Sequence, residues 1–77
     1  MDTDWRTRIT IDPAILLGKP TIRRLRISIE QILRALANGV PESELLADYP
    51  DLEAEDFKAC LSYAADSLAS ERVHRVA

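Results

Sequence analysis

Apolar residues recur at helical spacing through the second half of the chain, and this pattern predicts three helices. The first apolar stripe repeats every three or four positions and consists of Ile29, Ile32, Leu33, Leu36 and Ala37. Ser28 precedes the stripe as an N-cap, Gln31 completes a capping box, and Asn38-Gly39 ends the helix in the left-handed conformation that glycine tolerates. We therefore predict the first helix at about residues 29–38.

Proline and acidic residues mark the limits of two further helices. Pro41 with acids in the following turn is typical of a helix N-terminus, and Pro50 ends this second helix. The last helix has a longer apolar stripe, which consists of Phe57, Cys60, Leu61, Ala64, Ala65 and Leu68. These limits predict helices at about residues 42–49 and 52–71.

The segment before the helices alternates apolar and polar residues, which is the pattern of short β-strands. Residues 8–11 alternate with a period of two and place Ile9 and Ile11 on one face. Two further extended pieces follow within residues 21–27, and a bulge or turn near Arg24 would bring their apolar residues into phase. The sequence therefore predicts a mainly α fold, in which short N-terminal strands or a hairpin precede three helices with a helix-turn-helix outline.

The length of 77 residues allows a single small domain. We assign residues 1–7 to a flexible lead-in in which Trp5 is the anchored residue, residues 8–72 to the domain, and residues 73–77 to a tail. A core of this size is marginal, and a lone pair of short strands is barely stable in water. The strand region is therefore predicted to form a homodimer, through Ile9, Ile11, Ile22, Leu25 and Ile27.

Side chains that could carry catalysis or hold a metal are scarce in this sequence. Cys60 is the only cysteine and His74 the only histidine, so the chain has no metal-ligand set and no internal disulfide. The acids at the start of the last helix are explained by helix capping, and no convergent set of catalytic groups accompanies them. We expect a non-catalytic protein without a cofactor. No apolar run approaches the roughly 18 residues of a membrane span, which favours a cytoplasmic location.

Charge is distributed unevenly along the chain. Residues 1–40 carry seven basic and four acidic side chains, a net charge of +3, whereas residues 41–77 carry three basic and nine acidic side chains, a net charge of −6. The basic side chains of the strand region are candidates for DNA binding, namely Lys19, Arg23, Arg24 and Arg26. The alternative is that they are solvated or pair with acids of another copy. DNA binding by the last helix is disfavoured, because the acids at its N-terminus repel phosphates.

The order and spacing of several short motifs resemble one known family. The N-terminal motifs are Arg8-Ile9-Thr10, Asp12-Pro13, Gly18-Lys19-Pro20-Thr21-Ile22 and Arg26-Ile27-Ser28. The helical motifs are Ala37-Asn38-Gly39, Glu44-Leu45-Leu46, Asp48-Tyr49-Pro50-Asp51-Leu52, Glu55-Asp56 and Leu61-Ser62-Tyr63-Ala64-Ala65. Together they are similar to domain-of-unknown-function family 433 over about residues 8–66. This family usually has Gly-Thr at the position of Arg24-Leu25 and often glycine at the position of Leu17, so a positive φ at Arg24 would cost about 1–2 kcal/mol.

The resemblance implies a homeodomain-like helical domain and a VapB-like antitoxin, a type of protein that is often encoded beside a PIN-like ribonuclease. The acidic surface of residues 42–56 would suit such a partner, because the RNA-binding groove of a ribonuclease is basic. Apolar anchors near the C-terminus are candidates for partner binding, namely Leu68, Val73 and Val76. The alternative is that Leu68 and Val73 complete the domain or a homodimer core.

The function that we expect from these features is that of an antitoxin-like module, which neutralises a PIN-like ribonuclease toxin. Binding of its own promoter DNA, and thereby autoregulation, is a further hypothesis for the same module. The alternative is a dimeric DNA-binding transcriptional regulator without a toxin partner. Both hypotheses describe a binding protein, and they differ in the partner that it binds.

Overall fold

The computed structural model describes residues 4–70, in which the strands and helices follow the predicted order. The elements are β1 (Ile9–Thr10), β2 (Thr21–Ile22), α1 (Ile29–Ala37), α2 (Glu42–Asp48) and α3 (Ala54–Ser70). The mainly helical fold with a short N-terminal hairpin and three helices is thus confirmed. Within the described residues, no helix combines the length and the apolarity that crossing a membrane requires.

The two strands pair antiparallel, with Ile9 opposite Ile22 and Thr10 opposite Thr21. Thr21 is buried, and its hydroxyl donates to the carbonyl of Thr10 at 3.2 Å. Ile9 is also buried, whereas Ile11 is 57% exposed. The first strand is therefore shorter than predicted: pairing stops at Thr10, and Ile11 does not share the packed face of Ile9.

A tight turn connects β2 to the residues before α1, at the position where the sequence predicts a turn or bulge. The N–H of Leu25 donates to the carbonyl of Ile22 at 2.7 Å and closes this turn. The central residues Arg23 and Arg24 have φ values of 44° and 67°, and two positive φ values are what a type I′ turn requires. The N–H of Ile22 also donates to the carbonyl of Ile27 at 3.1 Å, so the chain folds back along β2.

Two side chains occupy left-handed backbone positions at which the resembled family usually or often has glycine. Leu17 has a φ of 56° and Arg24 has a φ of 67°. A left-handed backbone brings Cβ close to the following carbonyl oxygen, which costs about 1–2 kcal/mol for a residue other than glycine. The two departures from the family motif are therefore sources of backbone strain.

Helix α1 has the start and stop signals that its sequence predicts. The hydroxyl of Ser28 accepts a hydrogen bond from the N–H of Gln31 at 3.0 Å, as an N-cap does. The side chain of Gln31 does not complete the capping box, and its amide nitrogen donates to the hydroxyl of Tyr49 at 3.0 Å. Gly39 follows the helix with a φ of 87°, in the left-handed conformation expected of it.

The core lies where the hairpin and the three helices meet. Its buried apolar side chains are Ile9, Ile22, Ile29, Ile32, Leu45, Leu52, Phe57, Ala59 and Cys60. Half-buried side chains pack around this core, among them Leu25 and Ile27. Each of the three helices and both strands, or the residues directly beside them, thus contribute to one core within a single chain.

Helix α3 is so long that the rest of the chain covers only part of its surface. It has 17 residues, whereas α1 has nine and α2 has seven. At 1.5 Å per residue, α3 is about 25 Å long and extends well beyond its neighbours. Phe57 and Cys60 are buried in its first half, but Leu61 is 52% exposed and Leu68 is 69% exposed in its second half. The predicted apolar stripe is therefore buried only in part.

The residues before β1 form a turn against the second half of α3. Asp4 caps a short 3₁₀ turn at Trp5–Thr7 by accepting the N–H of Arg6. The indole N–H of Trp5 donates to the carboxylate of Asp66 at 2.7 Å, and its ring meets Tyr63 edge-on with 4.9 Å between centroids. Trp5 is thus anchored as predicted, and the described part of the predicted lead-in has a regular turn that the sequence did not indicate.

We expect Arg24→Gly to raise the free energy of unfolding by about 1 kcal/mol, because glycine removes the left-handed strain. Arg24→Gly also removes the ion pair between Arg24 and Asp12. This loss offsets little of the gain in stability, since the Arg24 side chain is 65% exposed. Urea denaturation measures the change. Arg26→Gly is the matched control: Arg26 has no positive φ, so glycine is expected to lower stability there. The strain is disproved if Arg24→Gly is less stable than the wild type.

Candidate functional site

A buried carboxylate, that of Asp56, lies at the centre of the most connected polar cluster in the described chain. Asp56 is 1% exposed. Its Oδ1 accepts hydrogen bonds from Nη1 of Arg8 at 2.9 Å and from Nε of Arg23 at 3.1 Å. Its Oδ2 accepts from Nη2 of Arg23 at 2.9 Å and from the backbone N–H of Glu53 at 2.8 Å. Arg23 thus binds the carboxylate in a bidentate fork, and we call these four residues the ion cluster.

The ion cluster joins the hairpin to the start of α3. Arg8 directly precedes β1 and Arg23 directly follows β2, and the carbonyl of Arg8 accepts the N–H of Arg23 at 2.8 Å. Both guanidinium groups therefore leave the same end of the strand pair. Asp56 and Glu53 lie at the beginning of α3, where Glu53 also accepts from Nη1 of Arg8 at 2.7 Å. The guanidinium of Arg23 makes one more hydrogen bond, to the backbone carbonyl of Asp51.

Charge and burial act in opposite directions on the carboxyl group of Asp56. Burial alone would raise its pKa, but hydrogen bonds from Arg23, from the Glu53 backbone and from Arg8 outweigh burial and lower the pKa. The hydrogen bond with Asp56 raises the pKa of the Arg23 guanidinium in turn. Asp56 is therefore ionised at neutral pH, in a place where an unpaired carboxylate would be unstable.

The structure assigns different surroundings to the four side chains predicted to contact DNA. The side chain of Arg23 is only 28% exposed and belongs to the ion cluster. Arg24 pairs with Asp12 at 3.0 Å and Lys19 with Glu30 at 3.4 Å, both at exposed positions. Arg26 is exposed and forms no ion pair with any described residue. Of the four predicted DNA contacts, Arg23 is thus already paired with a buried carboxylate of its own chain.

The residues predicted to form a dimer do not lie on one surface. Ile9 and Ile22 are buried within the core of the single chain, and Leu25 and Ile27 are half-buried against it. Only Ile11 is largely exposed among the five. A strand-mediated dimer stays a prediction, but most of the apolar surface assigned to it is already buried or half-buried in the core of the single chain.

Of the three residues predicted to bind a partner, Leu68 is the one that the structure describes. It lies near the end of α3 and is 69% exposed. Val73 and Val76 lie outside the described residues. Leu68 is therefore accessible, and its role as a partner-binding anchor stays a prediction.

Exposed carboxylates follow one another along α2 and into the start of α3, and residues 42–57 include no basic side chain. Five of these carboxylates are exposed and form no ion pair with any residue between 4 and 70. We call this set the acidic surface, and it consists of Glu42, Glu44, Asp48, Asp51 and Glu55. It carries a charge of −5 that nothing in the described chain neutralises, and it is suited to bind a basic partner.

Nucleophilic chemistry finds little support among the described side chains. Cys60 is fully buried, and burial raises the pKa of its thiol to about 12. A thiol with this pKa is protonated at neutral pH and behaves as a small apolar group, as the sequence predicts for Cys60. Between residues 4 and 70, no three His, Cys, Asp or Glu side chains are arranged to hold a metal ion.

Sequence reasoning missed the ion cluster, although one signal for it was present. In the sequence, Asp56 resembles the other acids that favour a helix N-terminus. It lies four residues before Cys60 and four after Leu52, both of which are buried. This spacing places Asp56 on the apolar side of α3, where an acid requires a buried partner. The pattern could indicate a buried acid, but it could not identify Arg8 and Arg23 as its partners.

Comparison with known proteins finds one matching family and a related structure. The family described as "Protein of unknown function (DUF433)" matches residues 9–64. The crystal structure of a DUF433 member protein from Anabaena variabilis ATCC 29413 is similar, with 35% sequence identity and a TM-score of 0.75. The similarity covers 82% of this chain and 62% of that chain, so this chain spans about three fifths of the length of that relative. No curated protein matches.

Asp56→Asn is expected to lower the free energy of unfolding by about 3 kcal/mol, because it removes the charge that pairs with two partly buried guanidinium groups. Urea denaturation followed by circular dichroism measures the loss. The matched control is Asp48→Asn on the exposed side of α2, which is expected to change stability by less than about 0.5 kcal/mol. Equal stability of the two variants would show that the ion cluster does not hold the hairpin on α3.

Acid is expected to weaken the fold through the same carboxylate. The pKa of Asp56 is lower in the folded chain than its ordinary value of 3.8, so its stabilising effect is complete above that value and is lost as pH falls through the folded pKa. The urea midpoint of the wild type should therefore decrease below about pH 4. In Asp56→Asn the decrease should be shallower. An identical pH dependence of the two proteins would exclude Asp56 as a major source of acid sensitivity.

Proposed function

The chain belongs to the DUF433 family, and from this premise we propose that it is a non-catalytic, antitoxin-like binding module that neutralises a PIN-like ribonuclease. The acidic surface carries this proposal. Its five carboxylates are exposed and are not neutralised by any described side chain. A protein that binds RNA has a basic site for phosphates. The acidic surface is negatively charged, as phosphates are, and is therefore complementary to that basic site.

The contrast between the two halves of the chain supports an acidic rather than a basic binding surface. In the described residues, Lys19, Arg23 and Arg24 each form an ion pair with an acid of the same chain. The carboxylates of the acidic surface form none. Opposite charge accelerates the encounter of two proteins, so a surface of this kind favours rapid capture of a basic partner.

An apolar anchor is the second component that such a module requires, since surface charges alone add little affinity. The candidate is Leu68 on the second half of α3, with Val73 and Val76 as further candidates beyond the described residues. Charge would bring the ribonuclease to the chain, and apolar contact would slow its release. This division of roles makes the association sensitive to salt and the dissociation sensitive to apolar substitutions.

The alternative function is that of a DNA-binding transcriptional regulator. Its support is weaker for two reasons. Arg23 is already paired with Asp56. The start of α3 also presents acids where a recognition helix would approach phosphates. Arg26 and the exposed pairs of Arg24 and Lys19 remain as candidate DNA contacts. A promoter-binding role would therefore depend on fewer charges than the sequence indicates.

The experiment measures binding of this chain to a PIN-like ribonuclease, together with inhibition of the RNA cleavage by that ribonuclease. The wild type should form a complex at micromolar concentration. The triple variant Glu42→Gln, Glu44→Gln and Asp48→Asn should raise the Kd roughly tenfold or more, because three carboxylates of the acidic surface lose their charge.

A second triple variant controls for net charge. Ala14→Lys, Leu17→Lys and Ala69→Lys change the net charge by the same +3, at exposed positions outside the acidic surface. This variant should inhibit the ribonuclease nearly as well as the wild type. Failure of the wild type to bind would refute the antitoxin role, whereas equal losses in both triple variants would refute the acidic surface as its binding site.

A further inference from the structure

The turn that ends α1 contains Asn38 followed by Gly39, and Asn38 is the only asparagine in the sequence. Asn38 is the C-cap of α1, with a φ of −87° and a ψ of 9°, and Gly39 follows it with a φ of 87°. Both residues are exposed to solvent. Neither residue belongs to the ion cluster or to the acidic surface, so the proposed function does not use this pair.

An asparagine followed by glycine is a reactive pair, because the side-chain amide can be attacked by the next backbone nitrogen. Attack on Cγ closes a five-membered ring, and glycine has no side chain to obstruct it. At Gly39, no atom of the described chain other than its chain neighbours lies within 4 Å of the position that a Cβ would occupy. The space beside this part of the backbone is therefore open to the ring and to water.

Two hydrogen bonds keep the turn in an unreactive conformation. The N–H of Gly39 donates to the carbonyl of Leu36 at 3.0 Å, and the N–H of Val40 donates to the carbonyl of Ala35 at 3.0 Å. This pair of bonds is the Schellman motif of a helix C-terminus. With a ψ of 9°, the nitrogen of Gly39 lies close to the backbone nitrogen of Asn38 and points away from its Cβ. Attack therefore requires rotation about the Cα–C bond of Asn38, which breaks both hydrogen bonds.

Local opening of a helix end requires less free energy than opening of the core, so the last turn of α1 opens without unfolding of the chain. We propose that Asn38 is a site of slow deamidation in the native protein, and that opening of this turn sets the rate. In the open turn, the nitrogen of Gly39 forms a bond to Cγ of Asn38. The bond between Cγ and Nδ2 breaks, and Nδ2 leaves as ammonia with the proton of the Gly39 N–H. The product is a cyclic succinimide within the backbone.

Water then opens the succinimide at one of its two carbonyl carbons. Addition at Cγ breaks the bond between Cγ and the Gly39 nitrogen, which restores the ordinary backbone and leaves an aspartate side chain at position 38. Addition at the backbone carbonyl carbon leaves the Gly39 nitrogen bonded to Cγ, so the chain runs through Cβ and Cγ as isoaspartate. Both products add a negative charge, but only isoaspartate lengthens the backbone, by one methylene group.

A longer backbone at position 38 alters the connection between α1 and α2. Val40 is half-buried against the core, and Pro41 directly precedes α2. Leu45 of α2 is buried in the same core. An added methylene group therefore disrupts the Schellman motif and displaces α2 from the position in which Leu45 packs. The added charge is unfavourable at a helix C-terminus, but it leaves the length of the connection unchanged.

Mass spectrometry of the intact chain, with mapping of the peptide that contains position 38, measures the deamidation. The folded wild type should accumulate product over weeks at neutral pH. The chain unfolded in guanidinium chloride should react several-fold faster, because its turn is open. Asn38→Gln should remove the product, because attack on the longer side chain would require a larger ring.

A pair of alanine-to-glycine variants tests whether the last turn of α1 sets the rate. Ala37→Gly should accelerate deamidation of the folded chain several-fold, because glycine weakens this turn. Ala65→Gly is the matched control, since Ala65 is an exposed helical alanine like Ala37 but lies in α3. It should leave the rate unchanged, because it weakens a different helix.

Urea denaturation of the purified products separates the added charge from the longer backbone. The isoaspartate form should have a lower urea midpoint than the wild type, because α2 is displaced. Asn38→Asp has the same added charge with an ordinary backbone, and its midpoint should lie closer to that of the wild type. Equal midpoints of the isoaspartate form and Asn38→Asp would exclude the displacement of α2.

Deamidation of the native protein at Asn38 is excluded if the folded wild type accumulates no product. Equal rates in the folded and the unfolded chain would show that the Schellman motif does not protect Asn38. Equal acceleration by Ala37→Gly and Ala65→Gly would show that opening of the whole chain, rather than of the last turn of α1, sets the rate. These measurements use the chain alone, so their outcome is independent of the proposed ribonuclease partner.

Discussion

The paired charge of Asp56 is the interaction on which the rest of this small fold depends. Strands of two residues contribute few hydrogen bonds and cannot hold their own position in water. Arg8 and Arg23 leave the same end of the strand pair and meet one carboxylate in the first turn of α3. The hairpin is thereby fixed to the longest helix at one end, and Ile9 and Ile22 are aligned with Phe57 in the core. Burying this charge is costly, and it is tolerated because all of its hydrogen bonds are made.

The same arrangement determines the charge of the molecular surface. Basic side chains of the first half are used to neutralise acids within the chain, whereas the carboxylates of α2 and the following turn are left to solvent. An uneven distribution of charge along the sequence thus becomes an acidic surface in the fold. The exposed leucines in the second half of α3 have a different origin, because they follow from the unequal lengths of the helices. Electrostatics and helix length therefore produce two separate surfaces, one charged and one apolar.

The sequence predicts most of the fold because local rules govern its helices and its turn. Ser28 and Gly39 limit α1, and the phase change near Arg24 indicates the turn found there. The ion cluster was not predicted, since the spacing of Asp56 can indicate a buried acid but cannot identify its partner, an arginine 33 positions away. Periodicity likewise shows that α3 has an apolar side, but it cannot show that shorter neighbours leave Leu68 uncovered. The candidate surfaces depend on these longer-range relations, so they could be identified only in the folded chain.

The contact between Trp5 and Asp66 has a consequence for the order of folding. It joins residues 61 positions apart, almost the whole span of the described chain. Contacts of such separation carry the largest loop-closure entropy, so they form after the local contacts of the helices. During synthesis the hydrogen bond of Trp5 can form only after the second half of α3 has left the ribosome, because Asp66 lies there. Because Trp5 is the only tryptophan, its fluorescence follows this late closure of the chain without any added label.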